Sequence, residues 1–363
     1  MPVKPLHLAF FGSSLVSSYW NGAATYYRGL IKYMHARGHR ITFYEPDAFE
    51  RQQNRDMPDP PWARSVVYAN DADAMRRALR QAREADILIK CSGVGVFDTE
   101  LEAELPDVAK AAGRKAIFWD VDAPATLERC RDDAADSFHQ SVKRYDLILT
   151  YGGGPPVVDG YRQLTDAACV PIYNALDPDT HHPVPCDGRF ASDLNLLANR
   201  LPDREARIEQ FFLEAAARLP HKSFLLGGSG WHDKAMAPNV SPIGHVGTCD
   251  HNAFNCSPRA VLNVNRESMA RFGYSPATRV FEAAGAAACL ISDRWAGMEQ
   301  FLEPDKEVLL ADDGSGVADH LADLDPDRAK AIGEAALKRV LAEHTYAHRA
   351  GQLDQTLSEV GLV

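Results

Sequence analysis

Short apolar segments alternate with longer amphipathic segments along almost the whole chain, and this alternation constrains the fold more than any other feature. LHLAFF at 6–11 and RITFY at 40–44 are apolar runs of strand length. The segment between them carries apolar residues at helical spacing, namely Tyr26, Tyr27, Leu30, Ile31 and Met34. Gly38 follows as a helix-ending glycine. The order strand, helix, strand is typical of a parallel βα unit.

The same pattern occurs twice, in two halves of the chain. It continues through ADILIKCSG, KAIFWDVD, DLILTYGGG and ACVPI, is lost in the Pro- and Asp-rich stretch 171–190, and restarts with DLNLLA. We therefore predict two α/β domains in a 363-residue chain. The predicted boundaries are an N-terminal domain at 1–172, a linker at 173–190, a C-terminal domain at 191–345 and a C-terminal helix at 346–363 that packs back on the first domain.

Charge and cysteine content exclude several classes of protein. The chain has 39 Lys and Arg against 50 Asp and Glu, a net charge of −11, so we expect no nucleic-acid partner. No stretch approaches the roughly 18 consecutive apolar residues of a membrane span, and we expect a protein that is not transmembrane. The seven cysteines form no C-x-x-C pair, and the local group Cys249, Asp250, His251 and Cys256 matches no metal-ligand spacing. We expect reduced thiols, a cytoplasmic location and no metal.

Ligands of open α/β sheets bind beyond the carboxyl ends of the strands, so the loops after strands hold the candidate site. In the first half, the loop after the first strand is rich in small and polar residues and ends at a helix start. Its glycines do not have the spacing of a dinucleotide-binding loop. We expect it to line a binding cleft through Ser13, Ser14, Tyr19, Trp20, Asn21 and Gly22.

Two carboxylates follow a later strand of the first half. Asp120 and Asp122 stand between the apolar run KAIFW and Pro124. One of them, with Asp122 favoured, is a candidate base that takes a proton from a hydroxyl group. The alternative is that one aspartate caps the following helix and the other is a solvated turn residue.

The second half places arginines beside glycine-rich loops. Asn199, Arg200 and Arg204 follow its first strand, and Gly228, Ser229 and Gly230 follow the next one, a combination that suits a diphosphate. The alternative is that Arg204 pairs with Glu205 or Glu209 on its own helix. Further on, Arg279 lies at a helix start, where a cation is unfavourable unless an anion binds there, and Glu282 could accept two ribose hydroxyls. An Arg279–Glu282 pair within the helix is the alternative.

The segment 275–310 resembles glycosyltransferases of the GT-B fold, and in particular the CgeB-type group. The motifs are TRVFEAAG at 278–285, DRWAGME at 293–299 and EPDKEV at 303–308. A weaker similarity extends over the chain through FWDVDAP, YGGGPPVV and ANRLPDRE. The resemblance implies two Rossmann-like domains that face a central cleft.

It also implies a nucleotide-sugar donor in the second domain, an acceptor in the first and no obligatory metal or other cofactor. By similarity, Glu282 binds the donor ribose, Arg279, Arg200 and the adjacent Thr278 lie near the phosphates, and His245 and Gly247 belong to a loop that receives the nucleobase through its backbone. The acceptor stays open among glycans, lipids, small molecules and proteins, and a homodimer stays open too.

The chain departs from the related retaining enzymes that carry an E-x7-E signature. Tyr274 stands eight residues before Glu282, in place of a carboxylate. Inversion with Asp122 as the base and retention without a side-chain base therefore both stay open. The sequence predicts a metal-independent glycosyltransferase. The alternatives are a nucleotide-sugar epimerase or hydrolase on the same fold, and a non-catalytic binding or surface-assembly protein.

Overall fold

The computed structural model of the protein describes residues 4–19, 21–93, 95–202 and 204–362. The described strands are β1 (His7–Phe11), β2 (Arg40–Pro46), β3 (Arg64–Tyr68), β4 (Ile87–Cys91), β5 (Lys115–Asp120), β6 (Leu147–Thr150), β7 (Ala168–Pro171), β8 (Leu194–Leu197), β9 (Phe224–Gly227), β10 (Val240–Gly244), β11 (Ala260–Asn263), β12 (Leu290–Asp293) and β13 (Leu309–Ala311). The described helices are α1 (Ala23–Ala36), α2 (Ala72–Gln81), α3 (Asp98–Ala111), α4 (Ala123–Asp132), α5 (Phe138–Ser141), α6 (Gly154–Arg162), α7 (Glu205–Ile208), α8 (Glu214–Arg218), α9 (His251–Cys256), α10 (Glu267–Phe272), α11 (Thr278–Gly285), α12 (Gly314–Asp323), α13 (Pro326–Glu343) and α14 (Tyr346–Glu359).

The chain divides into two compact units. The first comprises the residues up to Tyr173 together with those from Tyr346 onward, and the second comprises Asn174–Thr345. Among the described residues, the first unit has a seven-stranded parallel sheet in the order β3-β2-β1-β4-β5-β6-β7. The second has a six-stranded parallel sheet, counted in the same way, in the order β10-β9-β8-β11-β12-β13. Each unit is therefore a Rossmann-like α/β domain, as the alternating pattern predicts.

Burial of the apolar residues explains why these segments form the sheets and helices. Strands β4, β6, β9, β11 and β12 are buried along their whole length, as central strands covered on both faces must be. The apolar stripe predicted on α1 is buried, which confirms that helix. Gly38 has φ +100° and its N–H bonds to the carbonyl of His35, so it ends α1 as predicted.

Two strands escape the sequence pattern, and both lie at the edge of a sheet. β3 is half exposed, so it shows no continuous apolar run. β10 contains the exposed Pro242, a residue that central strands exclude because it lacks an N–H donor. Edge strands need fewer apolar residues than central strands. They therefore lack the continuous apolar run by which the central strands can be recognised in the sequence.

Residues 174–190, most of the predicted linker, are part of the second unit. They lie along α9 and are bound to it by polar contacts. The Asn252 side chain donates to the carbonyl of Thr180 at 3.0 Å, and the N–H of Asp187 donates to the Ser257 hydroxyl at 2.8 Å. The Pro- and Asp-rich composition therefore marks a segment without regular structure that is still fixed to the domain.

The last two helices belong to different units. α13 stays in the second unit, where its stripe of Ala329, Ile332, Ala336 and Val340 is buried. α14 lies in the first unit and packs against α1, with Tyr346 over Gly29 and with Asp354 bonded to His39 at 2.8 Å. The first domain is thus completed by the C-terminal segment of the chain.

We expect Gly29→Ala to destabilise the first unit, because an added Cβ would lie 2.3 Å from the ring of Tyr346. The overpacking should lower the free energy of unfolding by about 1–3 kcal/mol, measured by urea unfolding. Gly351→Ala on α14 is the matched control, since its Cβ would meet nothing closer than 3.9 Å. Equal stability of the two variants would mean that α14 does not pack closely on α1.

Candidate functional site

The topology of the second unit marks one place at the edge of its sheet as a binding site. β8 lies between β9 and β11, so the connections that follow β8 and β11 leave in opposite directions. A crevice forms at such a point, beyond the carboxyl ends of the strands. The predicted residues Asn199, Arg200 and Arg204 lie in the loop after β8, at this point.

The loop after β8 is bonded to the glycine-rich loop after β9. The N–H of Ser229 donates to the side-chain oxygen of Asn199 at 2.9 Å, and the N–H of Arg200 donates to the carbonyl of Ser229 at 2.9 Å. Gly228 has φ +120°, and a Cβ there would lie 2.1 Å from the carbonyl oxygen of Ala198. A side chain at this position would clash with the loop after β8, so glycine at 228 allows the two loops to lie this close together.

Arg200 is held by carboxylates of its own chain. Its guanidinium lies 2.8 Å from Glu205 and 2.8 Å from Asp233. Hydrogen bonds from Arg200 and Lys234 lower the pKa of Glu205 to about 2. These pairs give Arg200 partners other than the phosphate that the sequence assigned to it.

Arg279 is close enough to a second arginine, Arg204, to be affected by its charge. Burial, and next the charge of Arg204, lower the pKa of Arg279 to about 10, while Glu282 acts in the opposite direction. No carboxylate among the described residues lies within 4.0 Å of the Arg279 guanidinium nitrogens, so the Arg279–Glu282 ion pair does not form. Two neighbouring cations therefore lie where an anion would be stabilised.

The start of α11 adds to this positive potential. Its N-cap residue is Ala277, which has no side-chain oxygen to cap the helix, and its first turn contains no acidic residue. The first N–H groups of a helix lack intrahelical partners and carry a partial positive charge. Thr278 and Arg279 are the first two residues of this helix, so Arg279 belongs to its N-terminal turn.

Glu282 lies one turn further along α11 and is partly buried. Its carboxylate makes no hydrogen bond to another described residue. It lies close enough to His251, at the start of α9, for its charge to raise the pKa of that ring. The carboxylate can therefore accept hydrogen bonds from hydroxyl groups of a ligand.

The predicted nucleobase loop follows β10. His245 is exposed, and the next residue, Val246, is buried in a small apolar cluster with Phe190, Leu225 and Phe254. The side chain of Val246 thus anchors the loop, while the backbone at His245 and Gly247 stays at the surface.

A buried polar network holds the neighbouring loops, and sequence analysis missed it. Arg207 bonds to Asp293 at 2.6 Å and to the carbonyl of Asn265 at 2.9 Å, and the N–H of Asn265 donates to Asp293. The Asn265 side chain reaches the carbonyl of Ser275, shortly before α11. Polar residues at the ends of two buried strands, β11 and β12, are the sequence signal that could have indicated this network.

In the first unit, the loop after β1 is closed by its own side chains. Ser13 donates to the Asn21 side chain at 2.9 Å, and Asn21 donates to the carbonyl of Ser14 at 2.8 Å. All three residues are buried. Tyr19 is 40% exposed and Gly22 begins α1, whereas Trp20 lies outside the described residues. Only Tyr19 and Gly22 of the described candidates therefore reach the surface of this loop.

The two aspartates after β5 differ in their surroundings. Asp120 is fully buried, and its carboxylate accepts from Tyr161 at 2.5 Å, from Ser92 at 2.7 Å and from the N–H of Asp122 at 2.9 Å. These contacts give Asp120 a structural role in holding the loop. Asp122 is partly exposed at the N-cap of α4, and its side chain makes no capping bond. The prediction of a catalytic base stays with Asp122.

The described residues contain neither a metal-ligand cluster nor a membrane-spanning helix. No group of three or more His, Cys, Asp and Glu side chains in the described part of the chain is arranged to hold a metal ion. In the local group at 249–256, Asp250 bonds to Arg189, and the Cys256 thiol donates to the carbonyl of Ala286. None of the helices among the described residues combines the length and hydropathy of a membrane span.

Residues 204–355 match the family described as Glycosyl transferase-like. The match covers the second unit from Arg204 onward and the start of α14, which is less than half of the chain. It therefore includes Arg204, Arg279 and Glu282. No curated protein matches the sequence significantly.

Solved structures share the fold over the whole chain. The Anabaena protein HepE in complex with UDP and glucose has a TM-score of 0.70 at 14% identity, covering 98% of this chain and 100% of HepE. Sucrose-phosphate synthase from Thermosynechococcus elongatus has a TM-score of 0.65 at 15% identity, covering 98% and 99%. An alpha-glucosyltransferase in complex with UDP-glucose and DNA with an abasic site has a TM-score of 0.70 at 12% identity, covering 98% and 100%. The chain thus consists of two parallel-sheet, Rossmann-like domains and has the fold of the GT-B glycosyltransferases.

Proposed function

We propose that the protein is a metal-independent glycosyltransferase that transfers a sugar from a nucleotide-diphosphate donor to the hydroxyl group of an acceptor. One observation carries the proposal: Arg279 lies in the first turn of α11, whose start no side chain caps, the charge of Arg204 acts on it, and Glu282 follows one turn later. The positive charges suit the diphosphate of a nucleoside diphosphate, and the carboxylate suits the ribose to which the diphosphate is attached.

The diphosphate is the part of the donor that the cationic groups fit. Burial, and next the charge of Arg204, lower the pKa of Arg279, and an anion between the two arginines would offset the repulsion between them. Arginine forms bidentate hydrogen bonds with phosphate, and a helix N-terminus adds N–H donors. Together they would stabilise the negative charge that develops on the departing diphosphate, which magnesium does in many other transferases. This supports a metal-independent reaction.

Glu282 is suited to the ribose. A carboxylate has two acceptor oxygens, and the adjacent 2′ and 3′ hydroxyls of a ribose are two donors at matching distance. The partial burial of Glu282 favours such bonds over bonds to water. UDP is the first donor nucleotide to test, because the HepE structures and the alpha-glucosyltransferase structure hold UDP or UDP-glucose.

The transfer itself needs few groups. The bond between the anomeric carbon and the diphosphate oxygen breaks with its electron pair on the oxygen, and a new bond forms to the acceptor oxygen. The acceptor proton passes to Asp122 in an inverting reaction, or to the departing phosphate in a retaining one. We assign the acceptor, whether a glycan, a lipid, a small molecule or a protein, to the first unit, where Tyr19 offers an exposed ring.

The motifs at 278–308 favour the CgeB-type group among these transferases. All seven cysteines are free thiols, which supports a reducing compartment such as the cytoplasm.

Glu282→Ala should weaken the binding of UDP by a factor of about 10–150, the cost of one or two charged hydrogen bonds. The same variant should bind UDP and 2′-deoxy-UDP equally, whereas the wild-type protein should prefer UDP. Thermal shifts with UDP, ADP, GDP and CDP, followed by calorimetry, measure the affinity for UDP and the preference for UDP over 2′-deoxy-UDP. A chelator should change neither quantity. Glu334→Ala, which removes an exposed carboxylate of α13, is the control. Unchanged UDP affinity in folded Glu282→Ala protein would remove the ribose assignment.

Arg279→Gln should weaken both UDP and inorganic pyrophosphate by about 10-fold or more, because it removes a charge beside the diphosphate. Calorimetric titration with each ligand gives the affinities. Arg218→Gln, an exposed arginine of α8 paired with Glu214, should leave both unchanged. If Arg279→Gln binds pyrophosphate as tightly as the wild-type protein, the phosphate site lies elsewhere.

Asp122→Asn should reduce turnover by about 10²–10⁴-fold without changing UDP affinity, if Asp122 takes the acceptor proton. Release of UDP from UDP-glucose, with water and with a panel of mono- and disaccharides, measures turnover. Asp132→Asn, an exposed aspartate of the same unit, is the control. Full activity of Asp122→Asn would favour the retaining route. UDP release that needs no saccharide would favour a hydrolase, and UDP binding without release a binding protein.

A further inference from the structure

Two aromatic side chains lie exposed on the loops that follow β1 and β2. Tyr19 is 40% exposed and Phe49 is 48% exposed, and no other described Phe, Tyr or Trp side chain is as exposed. Because β1 and β2 are adjacent parallel strands, both loops lie at the same edge of the first unit's sheet, beyond the carboxyl ends of its strands. Exposed aromatic rings at this edge of an α/β sheet are typical of a ligand-binding surface.

A buried arginine connects the two residues. The Arg51 guanidinium lies over the Phe49 ring, 5.0 Å from its centroid, and its Nε donates to the carbonyl of Tyr19 at 3.4 Å. Arg51 is itself fully buried. Because one guanidinium contacts both residues, the Phe49 ring and the Tyr19 backbone lie close together.

Further hydrogen bonds fix the two loops to each other. The Ser17 hydroxyl donates to the carbonyl of Asn54 at 2.7 Å. The N–H of Leu15 donates to the carboxylate of Glu45, a buried residue of β2, at 2.6 Å. The protein therefore holds the loops of Tyr19 and Phe49 in place, and a ligand that binds to them pays little for ordering them.

The backbone that carries Phe49 is strained. Phe49 and Glu50 have φ +55° and +56°, in the left-handed region that residues other than glycine rarely adopt. The N–H of Arg51 donates to the carbonyl of Ala48 at 3.2 Å, and the Asn54 side chain donates to that of Glu50 at 2.9 Å, which closes this turn. Such conformations are concentrated at functional sites. Exposure and strain together indicate that Phe49 is kept for binding.

The polar groups around the two rings limit what they can bind. Asp47 and Glu50 are exposed on the same loop, and neither forms a salt bridge with another described residue. These carboxylates repel an anionic ligand and accept hydrogen bonds from hydroxyl groups. Gln53 adds an exposed amide. A neutral saccharide fits this surface, because one face of a pyranose consists of C–H groups that pack on an aromatic ring and its edge carries hydroxyl groups.

We propose that Tyr19 and Phe49 bind the acceptor of the transfer, and that this acceptor is a neutral saccharide that packs on the two rings. The inference rests on the proposed function, since it names the class of acceptor for the same reaction. The saccharide supplies the hydroxyl group to which the donor sugar is transferred. A lipid acceptor would need a larger apolar surface than two rings beside carboxylates provide.

The test measures acceptor binding in variants of the two residues. Maltose, cellobiose, lactose and N,N′-diacetylchitobiose are titrated by calorimetry into the UDP-bound wild-type protein, Tyr19→Ala, Phe49→Ala, Phe49→Leu and Phe49→Tyr. Release of UDP from UDP-glucose at varied saccharide gives the acceptor KM. Val67→Ala, which shortens an exposed apolar side chain on β3 of the same unit, is the matched control. Vesicles of phosphatidylglycerol test a lipid acceptor.

At least one disaccharide should bind the wild-type protein. Tyr19→Ala and Phe49→Ala should raise its Kd and KM by about 10-fold each, with UDP affinity unchanged, because each removes one ring. Phe49→Tyr, which keeps an aromatic ring, should restore the wild-type values, whereas Phe49→Leu, which is only apolar, should not. Val67→Ala should behave as the wild-type protein.

Equal saccharide affinity in Phe49→Ala, Tyr19→Ala and Val67→Ala overturns the inference. So does a wild-type protein that binds none of the disaccharides, whether or not it binds the vesicles. The proposed function stands in these cases if UDP still binds. Loss of UDP and saccharide affinity together in Phe49→Ala shows a purely structural role and also overturns the inference. A wild-type protein that does not bind UDP overturns both proposals.

Discussion

The repulsion between two neighbouring guanidinium groups is the interaction on which the site in the second unit depends. Arg204 follows β8, and Arg279 lies in the first turn of α11. The connections after β8 and β11 leave in opposite directions, and both arginines lie near this point at one edge of the sheet. Burial adds to the cost, since it removes the water that would screen the charges. Under the proposed function, the diphosphate of the donor binds beside these two charges. Glu282 lies on the same helix, one turn beyond Arg279.

The rest of the second unit keeps these groups in place. The loops after neighbouring strands bond to one another, as Gly228 and Asn199 show for β8 and β9. Arg207 and Asp293 do the same for the loops after β11 and β12. Because the polar groups that position the loops are paired with one another, the loops are held in place by the protein itself. Arg200 belongs to this supporting set through its carboxylate partners.

Much of the architecture could be predicted from the sequence, because parallel strands buried on both faces require continuous apolar runs. The prediction failed where that requirement is absent. β3 and β10 lie at sheet edges, and 174–190 has no regular structure although it is bound to α9. Candidate site residues were chosen by residue type and by position after a strand or at a helix start, which gave Arg204, Arg279 and Glu282 as predictions. The contacts that a residue makes could not be predicted in this way. Asp120 and Asp122 both follow β5, yet Asp120 is buried and bonded to Tyr161 and Ser92.

The sequence by itself determined the α/β class, the two domains and the loops that carry the candidate residues, because local periodicity and glycine placement depend only on neighbours along the chain. Only the tertiary structure decided which of these residues are buried and which are paired with other side chains. Arg200 and Asp233, or Arg207 and Asp293, are brought together by packing between separate elements. Hydrogen bonding and burial at a site are properties of atoms close in space, and residue type alone does not fix them.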